Sequence, residues 1–433
     1  VLAELRRETG AGWGRISGVG LAAQGGSTII AARDTGEART PMALWNDSSA
    51  YPYLERLIAA HPPRYWQSFS LSEMPGFGLA RLLELRETAL HWLDPARYIY
   101  AGAGEYAFFH LTGAWCQDAG NALQIGCYDA RRKRLIDKPL KELGIPLSFF
   151  AALRQGHATR PLSARAAARF GLPAGIPVAG PYIDHEAGYA SAAYVSAKPL
   201  QCSLGTAWVG NFPLPDDTTG HSPYQLVLPA PVGEGRLIIQ PLLTGNVTWE
   251  WALATLLDAD GGAALARAEA IFAAALLPRP GLTFLPWLHR PHPFADALGA
   301  GCFVGLHTST DRAEMLRAVA AGMSFELARI FHAVKARGEI DAVVLSGGAS
   351  KGSYFRALLA ALFAPLPIHR IVEEDWMGAR GSLHAFGTPA SRSAVRPVAT
   401  AAAADAIRDG YARYEATFAR VYGHVRAGKA FGF

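Results

Sequence analysis

Cysteine is scarce in this chain: four residues among 433, Cys116, Cys127, Cys202 and Cys302, with no C-x-x-C pair. Their wide spacing offers no disulfide framework, so they are expected to be small buried residues of a reduced, cytoplasmic protein. Charge is also sparse, at 18% of residues with a formal net charge of +5. A basic balance invites nucleic acid only when Lys and Arg cluster with interleaved aromatics. The densest cluster, Arg131–Arg134, lies beside Asp129 and Asp137 and reads as a solvated turn. Long apolar runs are missing too. The best stretch, Ala270–Leu288, is broken by Pro278, Arg279, Pro280 and Pro286, which excludes a membrane-spanning helix there. The opening residues lack the pattern of a secretory signal. A chain that starts at Val1 inside the helix-like Leu2–Thr9 is expected to be a fragment or to use an alternative start codon.

What is present fits a two-domain α/β protein. The length exceeds one ordinary core, and strand–loop–helix alternation occurs in two blocks. Ile16–Ala22 reads as a buried strand ending at Gln24-Gly25-Gly26-Ser27, and Thr28–Ala32 as a second. Residues Tyr53 to Leu93 are helical in pattern, interrupted at Pro75–Gly78. Ile176–Ala179 is a short strand opening onto a glycine-led loop, Gly180–Asp184, and residues 180–205 are the candidate hinge. Asp311–Arg337 is the clearest helix: Leu316, Val319, Met323, Leu327, Ile330, Phe331 and Val334 share one stripe, and Asp311 with Glu314 spells a capping box. It leads to a strand, Asp341–Leu345, then Ser346–Gly352, then a helix, Tyr354–Phe363.

Three sites could carry chemistry. Gly347–Gly352 joins a buried strand to a helix, where free backbone N–H groups can point at a phosphate. Lys351 precedes the last glycine instead of following it, so the turn is not a Walker loop. The Gly205-Thr206 corner offers an amide and a hydroxyl without a clash. Asp184, with His185 after it, stands past a strand end, where a carboxylate can take a proton from a hydroxyl. Each also reads as an ordinary turn or helix cap; their order along the chain carries more.

That order resembles the FGGY carbohydrate kinases of the actin-like ATPase superfamily. Ile16–Gln24 is similar to that family's strand ending in a substrate-contacting Gln, and Trp45-Asn46-Asp47 to its W-x-D motif. Leu111-Thr112-Gly113 matches its LTG segment, Gly180–Asp184 its catalytic loop, and Leu204–Trp208 its second phosphate motif. Phe284–Leu288, Gly301–Leu306, Ser346–Ser350 and Met377–Ala379 follow in the family's order. The chain departs at Ser49, where many members carry Arg, and at Gly25-Gly26, where xylulose kinases carry bulkier Met-His. Ala321 stands where a Glu is usual, and Arg380 where a small residue is. The family's first strand and its D-x-G-T phosphate turn would precede Val1.

The resemblance implies a two-domain actin-like, ribonuclease H-like fold with a cleft, a sugar-binding domain over residues 1–190 and a nucleotide-binding domain over 191–433. ATP and Mg²⁺ are the implied cofactors, a ketose or polyol the implied substrate, and a homodimer is among the assemblies such folds form. Asp184 is then the base; Gln24, Trp45, Asn46, Asp47 and His185 face the sugar; and Gly205, Thr206, Gly347, Gly348, Ala349 and Ser350 hold the nucleotide. Two rivals accompany this reading. One is a sugar-binding pseudokinase on the same fold. The other is a glycoside hydrolase using Glu373-Glu374-Asp375, a poor acid/base pair because adjacent carboxylates on one segment diverge.

Overall fold

Aliphatic runs bounded by glycine become strands, and a computed structural model shows how they pair. It describes residues 2–218, 225–242, 244–259, 261–288, 301–335, 338–371, 376–387, 395–397 and 404–422. Glu373-Glu374-Asp375 lies outside the described residues. The chain folds as two compact units. Unit 1 comprises Val1–Ser191 with two later segments, Leu226–Leu237 and Trp376–Ser391; unit 2 holds the remainder.

In unit 1 the strand β1 (Val19–Ala23) pairs in parallel with β2 (Pro177–Ile183), and Thr159–Pro161 runs antiparallel on the other side of β2. Thr28–Ala32 pairs separately with Tyr98–Gly102. The helix Ala103–Thr112 covers the sheet through Phe108, which packs with Leu162, Ala166 and Val178. Helix α2 (Ala119–Ile125) lies against the turn after β1, and α1 (Phe77–Thr88) packs on α2. Asp118 caps α2 by accepting a hydrogen bond from the Asn121 N–H at 2.8 Å. The glycine-led loop expected at Gly180–Asp184 is instead strand up to Ile183, and α3 (Asp184–Ala192) starts directly after it. Glycine is needed at 180 because β1 bulges there. Gly180 has φ +110°, and a Cβ would stand 2.5 Å from the Leu21 carbonyl oxygen.

In unit 2, β3 (Pro199–Leu204) pairs in parallel with β4 (Ala342–Ser346), which pairs in parallel with Ile368–Ile371. Trp208–Leu214 turns back antiparallel on β3. The long helix is Arg312–Lys335, and Asp311 caps it by accepting from the Glu314 N–H at 2.7 Å. The expected single apolar stripe proves too narrow a description. Every residue from Ala318 to Arg329 is buried, Ser324, Glu326 and Arg329 included. Glu326 is matched by Arg329 at 3.2 Å and by the Tyr414 hydroxyl at 3.0 Å, which is how a helix buried on all sides tolerates charge. Cys127 and Cys202 are buried as expected, whereas Cys116 and Cys302 are half-exposed. No helix among the described residues is long and apolar enough to cross a membrane.

Candidate active site

The sugar-side candidates gather at one end of the unit 1 sheet. Ala23 on β1 lies opposite Ile183 on β2, so Gln24 and Asp184 are the residues that follow two adjacent parallel strands at the same end of the sheet. Both are exposed, and His185 is half-buried behind Asp184. The turn after Gln24 is Gly25-Gly26. A Cβ on Gly25 would meet the Gln124 Nε2 at 2.3 Å and Ile183 at 3.2 Å; one on Gly26 would meet the Gln124 Oε1 at 2.5 Å and the Trp45 Cβ at 3.4 Å. Trp45 is tied to the same turn, its N–H donating to the Ser27 hydroxyl at 3.1 Å, and its side chain is half-exposed. Gln24, Trp45 and Asp184 thus flank one turn, joined by Gln124, a residue the sequence reading missed.

Asn46 is exposed, whereas Asp47 is engaged. One oxygen of Asp47 accepts from the Ser49 N–H at 2.9 Å, and the other meets Arg81 at 2.9 Å. The Ser49 N–H and then Arg81 hold this carboxyl below the usual carboxylate range. Arg81 also binds Glu84 at 2.8 Å and donates to the Ser49 hydroxyl. The Arg81 guanidinium thus reaches Asp47 and Ser49 from α1. An arginine on a helix segment otherwise buried and apolar, Gly78–Leu83, was the available signal.

Beneath Asp184 the chain buries charge. Glu186, in the first turn of α3, pairs with Arg154 at 3.0 Å, both side chains at most 10% exposed. Arg154 also stacks on the Tyr182 ring at 4.0 Å. Glu105 and Asp118 are buried nearby. Burial, then the Asp118 charge, pushes Glu105 up to about 8; burial raises Asp118 to about 6. Burial also raises Glu186 to about 7, with Arg154 pulling the other way.

The nucleotide-side candidates lie where β3 and β4 end together, Ser203 opposite Ser346. The turns that follow pack backbone to backbone. A Cβ on Gly347, whose φ is +85°, would fall 2.6 Å from the Leu204 carbonyl carbon. Asn246, at the start of the helix α4 (Asn246–Leu257), fastens them. Its N–H donates to the Gly205 carbonyl at 3.1 Å, its Nδ2 to the Leu204 carbonyl at 3.3 Å, and its Oδ1 accepts from the Trp208 indole at 3.1 Å. Thr206 stands on this corner, its carbonyl 2.3 Å from where a Gly245 Cβ would be.

A cavity of about 430 Å³ opens beside these turns, lined by Asn246, Trp249, Glu250, Leu253, Leu265, Glu269, Gly348, Ala349, Lys351, Gly352 and Tyr354 among others. Its size and its mixture of aromatic, aliphatic and few polar walls suit a small organic ligand. Of the expected nucleotide residues Gly348 and Ala349 line it; Gly205, Thr206, Gly347 and Ser350 do not. Ser350 is fully buried, and its hydroxyl has no hydrogen-bond partner among the described residues. Among the described residues no group of three or more His, Cys, Asp or Glu could hold a metal ion.

Comparison with known proteins speaks to the family and the fold. The model of the N-terminal domain of the FGGY family of carbohydrate kinases matches residues 1–190, and that of its C-terminal domain residues 242–385. Xylulose kinase from Rhodospirillum rubrum superposes with a TM-score of 0.82 at 20% identity, covering 98% of this chain and 88% of that one. Gluconate kinase from Lactobacillus acidophilus gives 0.80 at 21%, with the same coverage of each. Glycerol kinase from Plasmodium falciparum, solved with ADP, gives 0.74 at 16%, covering 94% and 84%. At these identities the structures speak for the fold, and the two family models speak for the family. The chain belongs to the FGGY family of carbohydrate kinases.

Proposed function

We propose that this carbohydrate kinase transfers the γ-phosphoryl group of ATP to a hydroxyl of a ketose or polyol, with Asp184 as the base. The observation that supports the reading is the register of β1 on β2, in which Ala23, just before Gln24, lies opposite Ile183, just before Asp184, with Trp45 against the turn that follows Gln24. The Asp184 carboxylate accepts the proton of the attacking hydroxyl as its oxygen bonds to phosphorus and the bond to the ADP oxygen breaks. Gln24 and Asn46 hydrogen-bond other hydroxyls, His185 stands beside them, and the Trp45 indole packs on C–H faces. Asp47, held by Ser49 and Arg81, orders this edge.

In unit 2 the cavity beside Gly348 and Ala349 takes the adenosine. The Gly205-Thr206 corner and the Gly347 turn direct backbone N–H groups toward phosphate oxygens, Ser350 closing the turn from within. Mg²⁺ belongs to this reading as a partner of the ATP phosphates, since the described residues offer no cage of their own for it. The basic balance of the chain favours approach of the anionic nucleotide.

The test is ADP release with Mg·ATP across a panel of ketoses and polyols. Sugar-dependent ADP is expected from the parent chain, and a loss of at least ~10²-fold in kcat from Asp184→Asn, with ATP affinity nearly unchanged. Turnover retained in Asp184→Asn would remove it from the base role.

A further inference from the structure

Gly25 and Gly26 leave the floor beside Gln24 without side chains, and another part of unit 1 fills it. Gln124 reaches over both glycines, so close that a Cβ on either would collide with its carboxamide. The backbone that carries Gln124 is clamped. A Cβ on Gly76 would stand 2.7 Å from the Gln124 carbonyl oxygen and 2.6 Å from the Gly126 nitrogen, and one on Gly78 would stand 2.6 Å from the Ile125 Cα. The Pro75–Gly78 interruption in the helical pattern therefore lets the start of α1 press directly on the end of α2. One turn earlier on α2, Asn121 accepts from the Gly26 N–H at 3.4 Å, fixing the turn to the same helix.

The carboxamide itself is left for something else. Gln124 is the only residue from 120 to 130 that is not buried. No hydrogen bond links its carboxamide to another described residue, although it has two N–H donors and an acceptor oxygen. A half-buried polar group on a clamped backbone, without a hydrogen-bond partner among the described residues and set against the turn that follows Gln24 and touches Trp45, is arranged to bind a hydroxyl, which both donates and accepts.

We propose that Gln124 determines sugar specificity: its carboxamide hydrogen-bonds a substrate hydroxyl other than the one phosphorylated, over the floor that Gly25 and Gly26 leave open. This rests on the sugar-kinase reading of the Asp184 end of the sheet. It deepens that reading by naming the residue that selects among polyhydroxylated substrates.

The experiment measures sugar and ATP kinetics for Gln124→Ala and for the similarly sized Gln124→Leu, with the best sugar of the panel and its single-position deoxy analogues. Sugar binding is read in parallel from the rise in melting temperature. Both variants are expected to raise the sugar KM by about 3- to 10-fold, as loss of one or two neutral hydrogen bonds does, with the ATP KM unchanged. One deoxy analogue should be penalised in the parent and no longer penalised in Gln124→Ala, a coupling that general loosening of the site would not produce. Gly25→Ala, which pushes the carboxamide aside, should reproduce the effect, and the double variant should be no worse than either single one. Unchanged sugar KM and binding in both Gln124 variants, or equal penalties for every analogue in parent and variant, would overturn the proposal. Active Asp184→Asn would instead overturn the base assignment and leave the Gln124 comparison standing.

Discussion

Each unit ends a pair of parallel strands in register and follows one of them with two glycines, Gly25-Gly26 after β1 and Gly347-Gly348 after β4. The space left by the missing side chains is used differently. Over Gly25 and Gly26 it holds a side chain, the flexible end of Gln124; against Gly347 it holds the backbone of Leu204 and Gly205. A side chain can be exchanged by mutation while the fold stays, but a backbone contact cannot. The Gly25-Gly26 turn is therefore open to retuning, and the Gly347-Gly348 turn is built for one geometry. The supports differ as well. Under the unit 2 turns lies a neutral chain in which Asn211 donates to Gln201, whose Nε2 donates to Ser346 at 2.9 Å. Under Asp184 lie Arg154 and three buried carboxyls.

Exchanging the two glycine turns' first residues for alanine tests this contrast most directly. Gly347→Ala meets both a positive φ and a backbone atom, and is expected to cost about 3 kcal/mol or more in denaturant unfolding, with weakened ATP binding. Gly25→Ala has only a movable carboxamide and the edge of Ile183 to displace, and should cost about 1 kcal/mol or less. Equal losses at the two positions would break the comparison.

Next in size is Arg154→Met. It leaves Glu186 buried and unpaired at the start of the helix that bears Asp184, and is expected to cost about 3 kcal/mol and to lower kcat. Urea unfolding together with steady-state rates checks both parts.

The smallest effect is a pH dependence. Glu105, Asp118 and Glu186 all titrate higher in the fold than in the unfolded chain, chiefly because burial disfavours their charged forms. Their contribution to stability is full below the ordinary carboxylate range and is lost as pH rises through about 6 to 8. The melting temperature should accordingly fall from pH 5 to pH 8. Glu105→Gln should flatten that slope and gain about 1–3 kcal/mol at pH 8 relative to pH 5. An identical slope in Glu105→Gln would place the pH-sensitive charge elsewhere.

The sequence by itself determined the α/β class, the family and the position of most long elements, because these follow from local patterns. Alternating apolar runs make strands, Asp311 caps its helix, and Gly205 and Gly347 punctuate strand ends wherever the rest of the chain lies. Some local readings failed for a physical reason. Gly180 was read as opening a loop, since glycine usually does, yet it serves a bulge inside a strand where Leu21 leaves no room for a Cβ. The long helix read as a single apolar stripe; only the partners Tyr414 and Glu415, some ninety positions on, show why Glu326 and Arg329 can be buried. Register and long-range contact were decided by tertiary structure alone. Nothing near Gly25 in the sequence indicates Gln124, nothing near Asp47 indicates Arg81, and nothing near Glu186 indicates Arg154. Those contacts join residues far apart in the chain and form only in the folded protein, which no local periodicity encodes.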